Sequence, residues 1–305
     1  MWQTRASFAR LLGTVALVTA MGIITVLLLQ GHSNAAERHP KSAAASTGPV
    51  DKATPKPTPK ATPTPTPTAP SADPSLRNDV AQANGAASVA ITDLSTGQSL
   101  DYGGSGHGFA TASIVKMDIL ATLLLQAQDQ GTTLTEDQEQ LATTMIENSD
   151  NDSATALWGE IGDEDGLNAA NKRFGLTSTS GGTEGNWGLT TTTSADQLLL
   201  LRQVFTSDSL LSAASRSYVQ GLMSQVESDQ QWGVGAAATG VFANKDGWLP
   251  RSATGLWVIN SIGEVDRNGQ ELLIATLSDG NPSESDGISL VQSLAVDAAQ
   301  SLTAG

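Results

Sequence analysis

Hydrophobic and polar positions alternate with different periods along the chain, and each period predicts a different kind of element. Residues 11–29 are uncharged and predominantly apolar, interrupted only by glycines and the threonines Thr14, Thr19 and Thr25. At about 1.5 Å per helical residue such a run covers the hydrocarbon core of a bilayer. Arg5 and Arg10 stand before it, and positive charge on that side predicts an N-terminus on the inner face of the membrane with everything downstream exported. The run is longer than the usual core of a signal peptide, while Ser33-Asn34-Ala35-Ala36 offers small residues for cleavage. Residues 1–35 therefore read as a transmembrane anchor or a cleaved signal segment, with the C-terminal domain outside the cytoplasm or secreted.

Residues 36–74 carry no periodicity. Their Thr/Pro/Lys/Ala composition, with a run of Thr-Pro repeats at its centre, cannot bury a core and prefers polyproline II, which predicts a disordered stalk. At about 3.1 Å per residue it would reach on the order of 100 Å.

Residues 75–305 have the pattern of one folded domain. A short helix is predicted over 76–84, an alternating strand over 87–94, a turn at 95–97 and a returning strand over 98–102. The glycine-rich stretch 103–108 lacks the strand-to-helix setting of a dinucleotide-binding loop and reads as a flexible connection. From Ala112 to Gly131 the residues are apolar on nearly every side, as in a helix buried in the middle of a domain. Thr135-Glu136-Asp137-Gln138 has the form of a capping box opening a helix to about Glu147. Helical spacing resumes after 148–152, recurs over 165–174 and is stopped by Gly175. Residues 177–194 read as a loop, and 194–205 and 210–226 as helices. The period then changes to two: strands are predicted over 242–249, 256–265 and 271–277, the last two joined by a turn at 266–269, followed by a helix over 285–302. Two strands at the start, three at the end and helices between them imply an α+β fold, a five-stranded antiparallel sheet with an inserted all-helical region.

Charge sharpens the division. Residues 1–73 hold seven Lys and Arg against three Asp and Glu, whereas residues 74–305 hold nine against twenty-eight. So acidic a domain is poorly suited to neutralising phosphates, which sets nucleic acid aside as a partner. With no cysteine in the chain, disulfides, thiolate metal sites and a cysteine nucleophile are excluded. His107 is the one histidine of the domain; a zinc site built on imidazole is not expected, nor is any cofactor.

The chemistry concentrates at Ser113 and Lys116. On a helix, residues three apart share a face, so a hydroxyl would sit beside an amine. Burial and the positive helix N-terminus both disfavour the ammonium form, and a neutral Lys116 can take the proton of Ser113 and make it a nucleophile. A triad would need His107, and no Gly-x-Ser-x-Gly elbow exists. The domain has three lysines, Lys116, Lys172 and Lys245. Ser149-Asp150-Asn151 falls at a turn between helices and Lys245-Asp246-Gly247 on a predicted strand. Taken singly, Ser113 reads as a helix cap, Asp150 as a turn residue or cap and Lys245 as a solvated strand lysine.

In this order, Ser-x-x-Lys, Ser-Asp-Asn and Lys-x-Gly resemble the motifs of the class A β-lactamase and penicillin-binding group of serine acyl enzymes, over about residues 76–302. The resemblance implies a β-lactamase/transpeptidase-like sandwich, its sheet flanked by the terminal helices and its active site in the cleft beside the helical region. It also implies Ser113 as nucleophile, Lys116 as base or proton relay and Ser149 as proton shuttle. Asn151 would bind the substrate amide, Lys245 would supply positive charge, and the backbone N–H groups of Ser113 and Trp248, beyond Gly247, would form the oxyanion hole.

Two departures bear on what such a site would do. The loop that activates the deacylating water in that family has no clear counterpart; Glu184 is the nearest candidate for its base. Asp246 replaces a hydroxyl residue, and facing the cleft it would repel an anionic ligand, for which Arg251 would compensate. Three readings follow: hydrolysis of a β-lactam or related cell-wall amide through an acyl-Ser113 intermediate; a slow penicillin-binding acyl enzyme of the DD-peptidase kind; or a non-catalytic membrane-tethered domain that binds the envelope. The expected partners are a β-lactam or a D-Ala-containing peptidoglycan fragment and, through the N-terminal helix, the membrane. The chain is expected to be a monomer.

Overall fold

The structure is a computed structural model that describes residues 70–303. The expected anchor at 1–35 and the stalk as far as residue 69 lie outside the described residues; within them no helix is long and apolar enough to cross a membrane. Ala72 is already buried, and the Asp73 amide donates to Ser301 Oγ at 3.0 Å.

In chain order the elements are α1 (Pro74–Gln82), β1 (Ala87–Asp93), β2 (Ser99–Gly103), β3 (Phe109–Ala110), α2 (Val115–Asp129), α3 (Glu136–Glu147), α4 (Asn151–Ile161), α5 (Asp163–Phe174), β4 (Thr191–Thr192), α6 (Ser194–Phe205), α7 (Ala213–Met223), β5 (Phe242–Pro250), β6 (Trp257–Arg267), β7 (Gln270–Asn281) and α8 (Glu284–Thr303). Side chains set most helix starts. Asp73 accepts from the Leu76 amide ahead of α1, Thr135 and Gln138 form the expected capping box of α3, and Ser212 accepts from the Ser215 amide at α7. Each satisfies amides that a helix N-terminus leaves without partners.

The five long strands form one antiparallel sheet in the order β2-β1-β7-β6-β5. The first two strands and the last three thus close into the expected sheet, with β7 beside β1. Residues of alternate parity serve different layers. On one face Val89, Ile91, Leu272 and Ile274 pack with Leu294, Ala295 and Ala298 of α8 and Leu76 of α1. On the other, Ala90, Leu273, Ala275 and Ile262 join the core of the helical region. All seven residues of β1 are consequently buried.

At the centre of the helical region runs α2, buried at every position from Val115 to Leu125. Two expectations are corrected. The glycine stretch 103–108 is pinned at two points, with Ser105, Gly106 and Gly108 exposed between and after them: a Cβ at Gly104, where φ is +61°, would stand 2.7 Å from Ser88 Cβ, and His107 Nε2 lies 2.6 Å from Asp279 Oδ2. Residues 177–194 contain a 3₁₀ turn, Trp187–Leu189, and the two-residue strand β4, which pairs with β3. Strands of two residues are too short to show a period, and this small sheet ties the loop to the segment leading into α2.

Candidate active site

Three segments converge at the N-terminal end of α2. The first is the 3₁₀ turn Ala112–Ile114. It hangs from the small sheet through the Thr111 amide, which donates to Thr190 O at 2.8 Å, and from β6 through Asn260. The Asn260 amide donates to the carbonyls of Ala110 at 2.9 Å and Thr111 at 3.0 Å. Ala112 is held at φ +48° and Ser149, in the second segment, at φ +55°. Non-glycine residues in that region carry roughly 1–3 kcal/mol of strain each, sustained only by well-determined surroundings.

Lys116 Nζ lies within hydrogen-bond distance of Ser113 Oγ at 3.0 Å, Ser149 Oγ at 3.0 Å, the Ser149 carbonyl at 2.5 Å and Asn151 Oδ1 at 2.8 Å, one partner more than even an ammonium can donate to at once. From the third segment, β5, Lys245 Nζ reaches the same Ser149 Oγ at 3.0 Å. Ser149 therefore bridges two amines, one of which touches the Ser113 hydroxyl.

Lys116 and Lys245 are both 0% exposed, which removes the solvated-lysine reading of Lys245. No side-chain cap is made at the 3₁₀ turn, so the Ser113 hydroxyl is free of that duty. The commonplace reading holds for Asp150, whose carboxylate accepts from the Ser153 amide at 2.7 Å and caps α4.

Burial, and after it the positive charge of Lys245, brings Lys116 down to about 7, against the pull of Asp150. Burial likewise lowers Lys245, opposed by Asp246, and raises Asp246. Near neutral pH a substantial share of Lys116 is thus a neutral amine able to accept a proton.

Asp246 is the clearest correction to the expected site. It is fully buried, accepting from Ser261 Oγ at 2.6 Å and from the Trp232 amide at 3.2 Å. Successive strand residues point to opposite faces, so Lys245 facing the cleft sends Asp246 away from it, and the feared repulsion of anionic ligands does not arise from this residue. Gly247 carries the close approach: a Cβ there would lie 2.8 Å from Ser113 N and 2.9 Å from Ile114 N.

A cleft of about 320 Å³ opens over Ser113, lined by Asn151, Gly185, Asn186, Trp187, Leu189 and Trp248 among others. Trp187 sits with its ring centroid 5.0 Å from Lys116 Nζ and its indole N–H on Thr155 Oγ1 at 3.1 Å. Glu184, exposed and at φ +55°, is not among the lining residues, and no carboxylate is. Across Leu189 lies a larger groove of about 460 Å³, bordered by Arg251 and Asp279. Sequence reasoning had missed Asn260 and the place of Trp187. A buried amide within an apolar strand was the available sign of the first; the second had none. Among the described residues no group of three or more His, Cys, Asp or Glu could hold a metal ion.

The fold is the β-lactamase/transpeptidase fold, and the chain belongs to the beta-lactamase enzyme family, which residues 137–302 match. The resemblance to class A β-lactamase-like serine hydrolases read from the motifs is thereby upheld. LppW of Mycobacterium tuberculosis, a lipoprotein by name, is 34% identical over 119 residues, 39% of this chain and 38% of its own length. The chain thus spans well under half of that relative. PBP-A, solved as a mutant acyl-enzyme with penicillin G, superposes with a TM-score of 0.65 at 22% identity, over 76% of this chain and 95% of its own. A class A β-lactamase representative from Bacteroides cellulosilyticus does so with a TM-score of 0.65 at 16% identity, over 75% and 96%. At such identities the structural likeness establishes the fold.

Proposed function

We propose that this chain is an exported serine acyl enzyme that reacts through Ser113 with β-lactams or D-Ala-containing cell-wall peptides and releases the acyl group slowly. The observation that carries the reading is the contact of Ser113 Oγ with a buried, pKa-lowered Lys116. The neutral amine takes the Ser113 proton as Oγ bonds to the substrate carbonyl carbon. Ser149, between the two lysines, passes a proton to the departing nitrogen. Asn151 and Trp248 border the cleft where the substrate amide would lie, and the Ser113 and Trp248 amides are the candidate oxyanion donors. Arg251, on the adjoining groove, is the group to receive an anionic part of the substrate.

Slow release is favoured over rapid hydrolysis because no carboxylate lines the cleft. Glu184 would have to enter it for a water to be activated there. A purely binding role is disfavoured by the convergence of two buried amines on Ser149 Oγ, one of them also on Ser113 Oγ. Attachment to the envelope is supported by the lipoprotein name of LppW. This chain has no cysteine to carry a lipid, so residues 11–29 would take the anchoring role.

Incubating the purified chain with a fluorescent penicillin and following its intact mass tests the reading, with Ser113→Ala as control. A lasting adduct on the parent alone is expected. Fast turnover would favour the hydrolase, and absence of any adduct with β-lactam or D-Ala thioester and ester donors would sink both enzymatic readings.

A further inference from the structure

Resting on the acyl-enzyme reading, we propose that Trp187 sets the lifetime of the acyl-Ser113 intermediate by occupying the space from which water would attack it. The ring centroid lies 5.0 Å from Lys116 Nζ, and that nitrogen is 3.0 Å from Ser113 Oγ. A water between amine and ring would need roughly 6 Å, a hydrogen bond of about 2.9 Å followed by a contact of about 3.5 Å. No water fits between them.

The indole is held in this position from several sides. Its N–H donates to Thr155 Oγ1 at 3.1 Å, and Thr155 Oγ1 in turn donates to the Asn151 carbonyl at 2.9 Å. Trp187 is half-buried and packs against the core of the helical region. Its 3₁₀ turn closes through the Thr190 amide on the Trp187 carbonyl at 3.0 Å, and Thr190 O carries the Thr111 amide just before Ser113. One short segment therefore both hangs the nucleophile and covers the amine beside it.

Release of the acyl group requires a water oxygen to bond to the acyl carbon while the bond from that carbon to Ser113 Oγ breaks. One water proton passes to Lys116 and returns to Ser113 Oγ. Lys116 is the base within reach of that oxygen, and Trp187 covers its open side. Acylation needs no such water, because the Ser113 proton reaches Lys116 directly. Trp187 is thus a positioning residue whose removal should separate the two half-reactions.

The test compares the full chain with Trp187→Ala, Trp187→Leu and Trp187→Phe, each labelled with a fluorescent penicillin, measuring the rates of labelling and of adduct loss together with thermal unfolding. Trp187→Ala and Trp187→Leu should still label, more slowly near neutral pH because rehydration returns Lys116 toward the ordinary lysine range, and should lose the adduct at least about tenfold faster, short of the roughly 10²–10⁴-fold of a well-placed general base. The Phe variant keeps a ring over Lys116 and should retain a long-lived adduct. Hydroxylamine, a small nucleophile, should strip the acyl group from the Ala and Leu variants and spare the parent. A merely structural role would slow labelling and leave adduct loss unchanged. Parent-like adduct lifetimes in both the Ala and Leu variants that still label would overturn this inference alone, whereas a parent that never labels would overturn it together with the acyl-enzyme reading.

Discussion

Gly247 lies so close to Ser113 that a side-chain carbon added at position 247 would stand 2.8 Å from the Ser113 amide nitrogen. Strand β5 and the turn carrying Ser113 are therefore in backbone contact, and the spacing between Lys245 and Ser113 depends on it. Gly247→Ala must push them apart. Displacements of about 1 Å at a reacting centre lower rates by roughly a hundredfold, so labelling by penicillin should slow on that scale while the circular dichroism spectrum is kept. Labelling at the parent rate would show that this contact does not govern the geometry.

The pH dependence follows from the two lysines. Lys116 is lowered to about 7. It must be neutral to take the Ser113 proton, so the acylation rate should rise about tenfold per pH unit below that value and level off above it. Lys245 must keep its proton to serve as a positive charge; burial lowers it from the ordinary lysine range, so the rate should fall again at a pH below that range. A bell-shaped profile of labelling rate is the expected outcome. A rate flat from pH 5 to 9, a span chosen to bracket roughly two units either side of neutrality, would exclude Lys116 as the base.

Asn260 is completely buried and carries three hydrogen bonds at the back of the site, to Ala110 O, to Thr111 O and from the Ser278 amide. Asn260→Ala removes all three bonds; Ala110 O and the Ser278 amide lose this partner, while Thr111 O keeps the Ile114 amide at 3.4 Å. Buried groups left unpaired cost about 1–3 kcal/mol each, and partial relaxation brings the expected loss to about 3 kcal/mol, a fall of roughly 8 °C in Tm. Labelling should slow as well, because the Ser113 turn loses its tie to β6. Differential scanning calorimetry and labelling kinetics read the two effects separately.

Asp246→Asn probes the inward-facing carboxylate. Asp246 supports the charged form of Lys245, so its neutralisation should move the alkaline limb of the pH profile to lower pH by about one unit. KM for an anionic β-lactam should stay within about twofold, since the group does not face the ligand. A markedly lower KM would instead place Asp246 in the cleft.

Much of this protein was legible along the chain. The capping box at Thr135, the stop at Gly175 and the change of period near Phe242 act within a few residues of themselves, and local physics is what sequence patterns report. The five-stranded sheet followed because strands separated by a helical insertion must still bury both faces. The pairing of β3 with β4 was not legible, because two residues carry no period. Asp246 was misplaced for a related reason: its neighbour Lys245 faces the cleft, but which side of β5 the cleft occupies is a property of the assembled sheet.

At Ser113 and Lys116 the division is the same. Spacing predicted a hydroxyl and an amine on one helical face, and the pair meets across the junction of the 3₁₀ turn Ala112–Ile114 and α2, which begins only at Val115. Only the tertiary structure decided what surrounds the pair, because those partners come from distant parts of the chain: Ser149 between two buried amines, Gly247 against the Ser113 backbone, and the Trp187 ring 5.0 Å from Lys116 Nζ. Burial sets the lysine's proton affinity, and burial belongs to the fold rather than to any one segment.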